Sequence, residues 1–272
     1  MATHMSQLTD VQNQLDDRGI SLDRVGVTNL YHPLVVLEKS GAQQSVTAAI
    51  DLLVGLHEQQ RGAHLSSLVE ALQARYEEGF RMRDLVELLR GVRAYQDQRG
   101  IPFEKAHADV RFKFFLSKAA PASGVRSLMA YDCGFNVTLG VGGAKGQMVE
   151  VPISTVCPCS LEISDVGAHN QRALLRIQVW HPLEDERALW LEDVIAIAEK
   201  CGSSPVYSVL KRVDEKALTE QMFSAPRFVE DTVRHAVVGV RNSMQGVRYS
   251  VQCESFESIH AHNAYAEASG VC

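Results

Sequence analysis

The order of apolar patterns along this chain constrains its fold more than any single motif, because one series occurs twice. "RVGVTNLYHPLVVLEK" and "QSVTAAIDLLVGLHE" are rich in β-branched residues and flank a turn signal at Ser40 and Gly41, which predicts two strands. Two amphipathic helices follow, one built on Leu65, Leu68, Val69, Leu72 and Tyr76, the other on Leu85, Leu88, Leu89, Val92 and Tyr95. Val110, Phe112, Phe114 and Leu116 then alternate with Arg111, Lys113 and Ser117 at the period of a half-buried strand, and "AAPASG" leads into another strand over 125–139. A glycine cluster (Gly140, Gly142, Gly143, Gly146) marks the midpoint as a hinge or hairpin turn. Beyond it "QMVEVPISTV" and "RALLRIQVW" predict strands, "LWLEDVIAIAEKCG" and "RFVEDTVRHAVVGVRN" predict helices, and "RYSVQCESF" and "HNAYAEAS" predict strands again. In the last helix the apolar face starts at Phe228 and Val229 and runs to Val240, and "PVYSVL", between the two helices, is strand-like.

The doubling predicts an α+β chain of two tandem modules, residues 21–146 and 147–272, behind a flexible N-terminus of residues 1–20. Each module pairs an antiparallel sheet with two helices. Open antiparallel sheets leave edges that must be paired or covered, so a homo-oligomer that closes the sheets into a barrel is expected.

Composition narrows the function classes. The chain has 272 residues, 46% hydrophobic, with a formal charge of −6, which argues against non-specific nucleic-acid binding, where a basic face supplies the affinity. No apolar run approaches the roughly 18 residues of a membrane span. Six irregularly spaced cysteines do not make a secreted disulfide framework, so a reducing cytoplasmic setting is expected.

The chemistry-bearing stretch is "CPCSLEISDVGAHNQR", Cys157 to Arg172. Proline fixes the backbone between the two thiols, and Cys157 with His169 could supply two ligands of an open metal site, or the cysteines could simply fill a buried turn. Downstream candidates are Asp214 and Glu215 in "KRVDEK", and Glu254, Glu257, His260 and His262 in "ESFESIHAHNAYAE".

"VCPCSLEISDVGAHNQR", "APASGVRSLMAYD", "VLKRVDEKALTE" (Val209 to Glu220), "PRFVEDTVR" and "ESFESIHAHNAYA" together resemble the type IB GTP cyclohydrolase family, the metal-dependent first enzyme of folate and other pterin pathways, in the same order and over roughly Val25 to Ala266. The resemblance implies a tunnelling fold with two modules per chain and a homotetramer. It implies that Cys157, His169, Glu215 and Glu257 surround a catalytic divalent metal (zinc or manganese, with iron a further candidate), that His260 moves protons, and that Glu230 grips the guanine edge of GTP. Leu161, Ser67 and Leu116 stand where the family more often carries basic residues.

The implied roles are chemically coherent. A thiolate, an imidazole and two carboxylates suit such a metal and leave a place for water, which becomes a usable hydroxide near neutral pH for opening the imidazole ring of GTP at C8 with loss of formate. Imidazole titrates in the range a proton shuttle needs. A carboxylate can accept parallel hydrogen bonds from the N1–H and 2-amino groups of guanine. Lys118, Arg126, Arg172, Lys211 and Arg212 flank the matching blocks, and Arg126 and Lys211 are the expected triphosphate contacts. The expected product is 7,8-dihydroneopterin triphosphate. Three alternatives stay open at this level: an archaeal-type variant with a cyclic-phosphate product, a reductase of 7-cyano-7-deazaguanine on the same fold, and a non-catalytic purine- or metal-binding module.

Overall fold

A computed structural model describes residues 11–74, 82–98 and 103–272. The first half contains β1 (Leu22–Leu37), β2 (Gln43–Leu56), α1 (Ser66–Gln73), α2 (Met82–Gln98), β3 (Ala106–Ala119) and β4 (Arg126–Leu139). The second contains β5 (Ala144–Val156), α3 (Pro158–Ile163), β6 (Asn170–Pro182), α4 (Leu191–Glu199), β7 (Ser204–Pro205), α5 (Arg212–Ser224), α6 (Val229–Ser243), β8 (Arg248–Ser255) and β9 (Ala264–Val271). All strands join one antiparallel sheet in the order β1-β2-β3-β4-β5-β6-β8-β9, with β7 paired to β5.

The two halves meet through β4 and β5, whose register runs from Asp132 opposite Glu150 to Thr138 opposite Ala144. The glycine cluster makes this turn. Gly140 sits at φ +126°, and a Cβ there would stand 2.5 Å from the Glu104 carbonyl oxygen, so both conformation and space require glycine.

One face of the sheet carries the helices and the core. A single row across it, Ile50, Val110, Phe135, Gln147, Val179 and Tyr249, is linked by strand register. Leu68 and Leu72 of α1, Leu85, Leu88, Leu89 and Val92 of α2, Val194 and Ile195 of α4, and Val233, Ala236 and Val240 of α6 are buried against that face. Burying each such Val, Leu or Ile side chain contributes about 1.5–3 kcal/mol, which makes this face the main source of stability. The expected helix contact of Tyr76 lies outside the described residues. Phe228 departs from expectation: it precedes α6 as an exposed cap residue, its N–H bonded to the Asp231 carboxylate at 3.1 Å, and the apolar face begins at Val229.

Two further departures concern the insertion between α4 and α6. "PVYSVL" is strand only at its start. Beyond Pro205 the segment is irregular, held to β4 by the Ser208 hydroxyl donating to the Leu128 carbonyl at 2.8 Å. "RVDEKALTEQMFS" is helix α5, although only Asp214 and Leu218 of it are buried. With no apolar stripe, helical periodicity was not visible there.

Because neighbouring strands are antiparallel, the β1–β2, β3–β4, β5–β6 and β8–β9 turns all lie at one end of the sheet. The candidate residues gather at this end. Residues 11–20 lie beside the first half, with Leu15 bridged to Gln60. Among the described residues no helix is long and apolar enough to cross a membrane.

Candidate active site

β5 ends at Val156, opposite Asn170 of β6, and the intervening loop closes where the Cys157 N–H donates to the His169 carbonyl at 3.1 Å. Pro158 opens α3, and the Cys157 thiol caps it by accepting the Ser160 N–H at 3.5 Å. The Ser160 hydroxyl in turn accepts the His169 N–H at 3.0 Å. Gly167, at φ +132°, turns the chain just before His169, and a Cβ there would meet the Phe223 ring at 3.3 Å. Local geometry thus ties Cys157 and His169 together.

β8 brings in the third group. Ser255 pairs with Ala173 of β6, so Glu257 follows directly beyond the strand end. Its Oε1 accepts the Ser255 hydroxyl at 2.9 Å and the Gln171 amide at 3.4 Å, and its Oε2 stands 3.8 Å from His169 Nδ1. The Gln171 amide nitrogen also donates to the Thr155 hydroxyl at 3.1 Å. With its NH₂ turned to two acceptors, Gln171 offers only its Oε1 to His169 Nδ1, 2.9 Å away, so that nitrogen carries the proton. His169 Nε2 is left with its lone pair available, the arrangement seen in metal-binding histidines. His260 stands edge-on to His169 with ring centroids 6.4 Å apart and stacks on His262 at 5.2 Å.

The remaining candidates sit on neighbouring elements. Glu215 and Glu230 are exposed residues in the first turns of α5 and α6, where carboxylates suit the helix dipole. Among the described residues no three His, Cys, Asp or Glu side chains form an ion-holding group. What the fold assembles within one chain is the His169–Glu257 pair with His260 beside it, and Cys157 joined to His169 through the backbone. The donor chemistry fits a borderline-soft divalent cation: an imidazole nitrogen, a carboxylate oxygen and a thiol. Cys133, Cys201 and Cys253, by contrast, are buried; burial pushes the Cys201 thiol up to about 11 and that of Cys253 to about 12, so these are packing residues.

The basic residues divide. Lys118 is committed to structure: its Nζ meets Glu199 at 2.5 Å and the Val206 carbonyl at 2.9 Å and lies over the Tyr207 ring, while the Tyr131 hydroxyl shares Glu199. Burial, against the opposing pull of Glu199, holds its pKa below the usual lysine range. Arg126 is exposed and braces its own hairpin through the Ser117 hydroxyl and carbonyl, both at 3.0 Å. Lys211 is exposed at the start of α5.

Asp214 fastens the β3–β4 turn, which leads into Arg126, to the start of α5, where Lys211 sits. Fully buried, it accepts the Ala122 N–H at 2.9 Å, the Ser123 N–H and hydroxyl at 2.7 Å each, and the Lys211 N–H at 2.8 Å. Burial opposes its charge, but the bonds from Ser123, Lys211 and Ala122 prevail and hold the carboxyl well below the usual carboxylate range. The β3–β4 turn is thereby fastened to α5. Sequence reasoning missed this role of Asp214 and the linking roles of Gln171, Thr155 and Ser255. Gln171, Thr155 and Ser255 each stand two residues from a candidate ligand, a spacing that shares one face of an extended chain and that could have found them.

Comparison with known proteins places the chain in a family. The family model for type I GTP cyclohydrolase folE2 matches residues 8–266. GTP cyclohydrolase FolE2 of Syntrophotalea carbinolica is 41% identical over 259 residues, covering 95% of this chain and 94% of that protein. The FolE2 of Syntrophus aciditrophicus is 41% identical, covering 95% and 98%. Among solved structures, the uricase from Arthrobacter globiformis superposes with a TM-score of 0.51 over 91% of this chain and 92% of that one, at 8% identity, a likeness of fold alone. With the match spanning nearly its whole length, the chain belongs to the type I GTP cyclohydrolase folE2 family.

Proposed function

We propose that this chain opens the imidazole ring of GTP at C8, releasing formate and forming 7,8-dihydroneopterin triphosphate for folate or another pterin pathway. The observation that carries the reading is the hydrogen-bonded unit of Gln171, His169 and Glu257 at one sheet end, inside a full-length family match. Cys157, His169, Glu215 and Glu257 would hold a divalent ion, zinc, manganese or iron, which when bound supplies an activated water.

The chain's own groups account for the rest. Gln171 keeps the proton on His169 Nδ1 and directs Nε2 outward. Ser255 and Gln171 anchor one oxygen of Glu257 and leave the other for the site. His260, exposed and beside His169, takes and returns the protons that ring opening requires. Glu230 accepts N1–H and the 2-amino group of guanine, which adenine does not offer. Arg126, just beyond the β3–β4 turn, and Lys211, at the start of the α5 that Asp214 fastens to that turn, meet the triphosphate.

Among the described residues the outer edges of β1 and β9 have no partner in the sheet order, which supports a homo-oligomer, a homotetramer by the family resemblance, that closes the sheet on itself. All six cysteines are free, in keeping with a cytoplasmic setting, and neither a membrane nor a nucleic acid is expected as partner. The matching family does not favour the reductase or the non-catalytic module. Incubating the purified protein, loaded with zinc, manganese or iron, with GTP should release formate and yield a product that oxidises to a fluorescent pterin. Mass spectrometry distinguishes the linear triphosphate from a cyclic phosphate, and no turnover with any of the three metals refutes the proposal.

A further inference from the structure

In the helix-facing row that crosses the sheet, Gln147 is the one amide, flanked by Phe135 and Val179. It is 1% exposed, yet among the described residues neither its amide nitrogen nor its carbonyl oxygen has a hydrogen-bond partner. Buried amides are ordinarily satisfied, and an unsatisfied one weakens a fold unless something else occupies it.

Gln147 lines a cavity of about 330 Å³ at the seam between the halves, together with Phe135, Leu37, Trp190, Lys145 and Arg187. The β1–β2 turn closes one side, where the Lys39 N–H donates to Glu192 at 2.7 Å and its Nζ meets Asp193 at 2.7 Å. Along β5 the cavity lies ten residues from Cys157, about 30 Å at roughly 3.3 Å per residue, so it is separate from the candidate active site.

We infer that this cavity binds a neutral, planar heterocycle bearing a cyclic-amide edge. The side-by-side donor and acceptor of Gln147 complement an adjacent C=O and N–H, and Phe135, Trp190 and Leu37 supply flat apolar walls. The cations at the cavity are already engaged. Lys145 Nζ donates to the Leu183 carbonyl at 3.0 Å, and Arg187 binds the Asp185 carboxylate and the Gln245 carbonyl at 2.7 Å. Glu186 adds a carboxylate to the lining. With Arg187 paired to Asp185 and Glu186 in the same lining as Lys145, the cavity offers no surplus positive charge to a nucleoside triphosphate, and the site selects an uncharged ring.

Trp190 lies in the cavity wall and the chain has only one other tryptophan, so its emission in a Trp180→Phe background reports occupancy. Titration with lumazine, a planar heterocycle with cyclic-amide edges, should quench Trp190 saturably. Affinity should fall at least ten-fold in Gln147→Met and should persist in Glu230→Ala. 1,3-Dimethyllumazine, which lacks the N–H groups, should bind the unaltered chain at least ten-fold more weakly, a control that stands even if Gln147→Met folds poorly. Absence of saturable quenching, equal affinity for the methylated ring, or loss of binding in Glu230→Ala would overturn the inference.

Discussion

The two halves carry the same run of paired strands and helices, but they spend their loops differently. In the first half, β1 and β2 are joined by a short turn in which the Glu38 N–H bonds the Ala42 carbonyl, and α1 is followed by α2 with no other described element between them. In the second, the β5–β6 connection contains α3, and β7 and α5 are inserted between α4 and α6. Cys157 and His169 sit on the first of these additions, Lys211 and Glu215 on the second, and Glu257 and His260 on the β8–β9 loop. The shared scaffold provides stability, and the loops at one sheet end, two of them additions to the duplicated plan, provide the candidate chemistry.

The largest test of that contrast is substitution at the β5–β6 loop. His169→Ala should lower formate release by about 10³-fold or more without moving the thermal midpoint, whereas Ser40→Ala in the equivalent first-half turn should leave turnover intact. Equal losses at both turns would erase the distinction between the halves. Next in size is Asp214→Asn, which unhooks α5 from the β3–β4 turn and should reduce kcat/KM on the order of 10²-fold through misplaced basic residues.

The same variant carries a pH signature. Because the folded pKa of Asp214 is depressed, the unfolded chain binds more protons in acid; the stability this residue contributes is present above the ordinary carboxylate value of about 4 and is lost as pH falls toward its folded value. Urea unfolding of Asp214→Asn should therefore lie below the parent at neutral pH, with the gap closing in acid. A gap that widens in acid would reverse the assigned sign.

Gln171→Leu should weaken metal retention and turnover by roughly 10–100-fold, since the tautomer of His169 is no longer fixed. Metal content after dialysis measures it, and unchanged retention would remove Gln171 from the site. Smallest is Lys39→Ala, whose exposed ion pair with Asp193 should be worth less than about 1 kcal/mol and leave turnover untouched.

The duplicated order was legible because strands and helices with one buried face repeat their apolar residues at fixed periods. α5 was not, since its exposed surface leaves no stripe, and "PVYSVL" misled because its apolar residues pack as a loop held by Ser208. Cys157 and His169 were legible as a local pair, joined by one loop. The role of Asp214 was hidden for a different reason: its partners Ala122 and Ser123 lie about ninety residues away, a separation no local pattern encodes. Gln147 gave no signal because its meaning depends on the row across six strands in which it stands.

The most direct test of where the chemistry sits is metal K-edge absorption of the zinc-loaded protein and of Cys157→Ala. The account predicts one sulfur at about 2.3 Å among nitrogen and oxygen ligands, lost in the variant. A spectrum without sulfur, or one unchanged by the substitution, would contradict it.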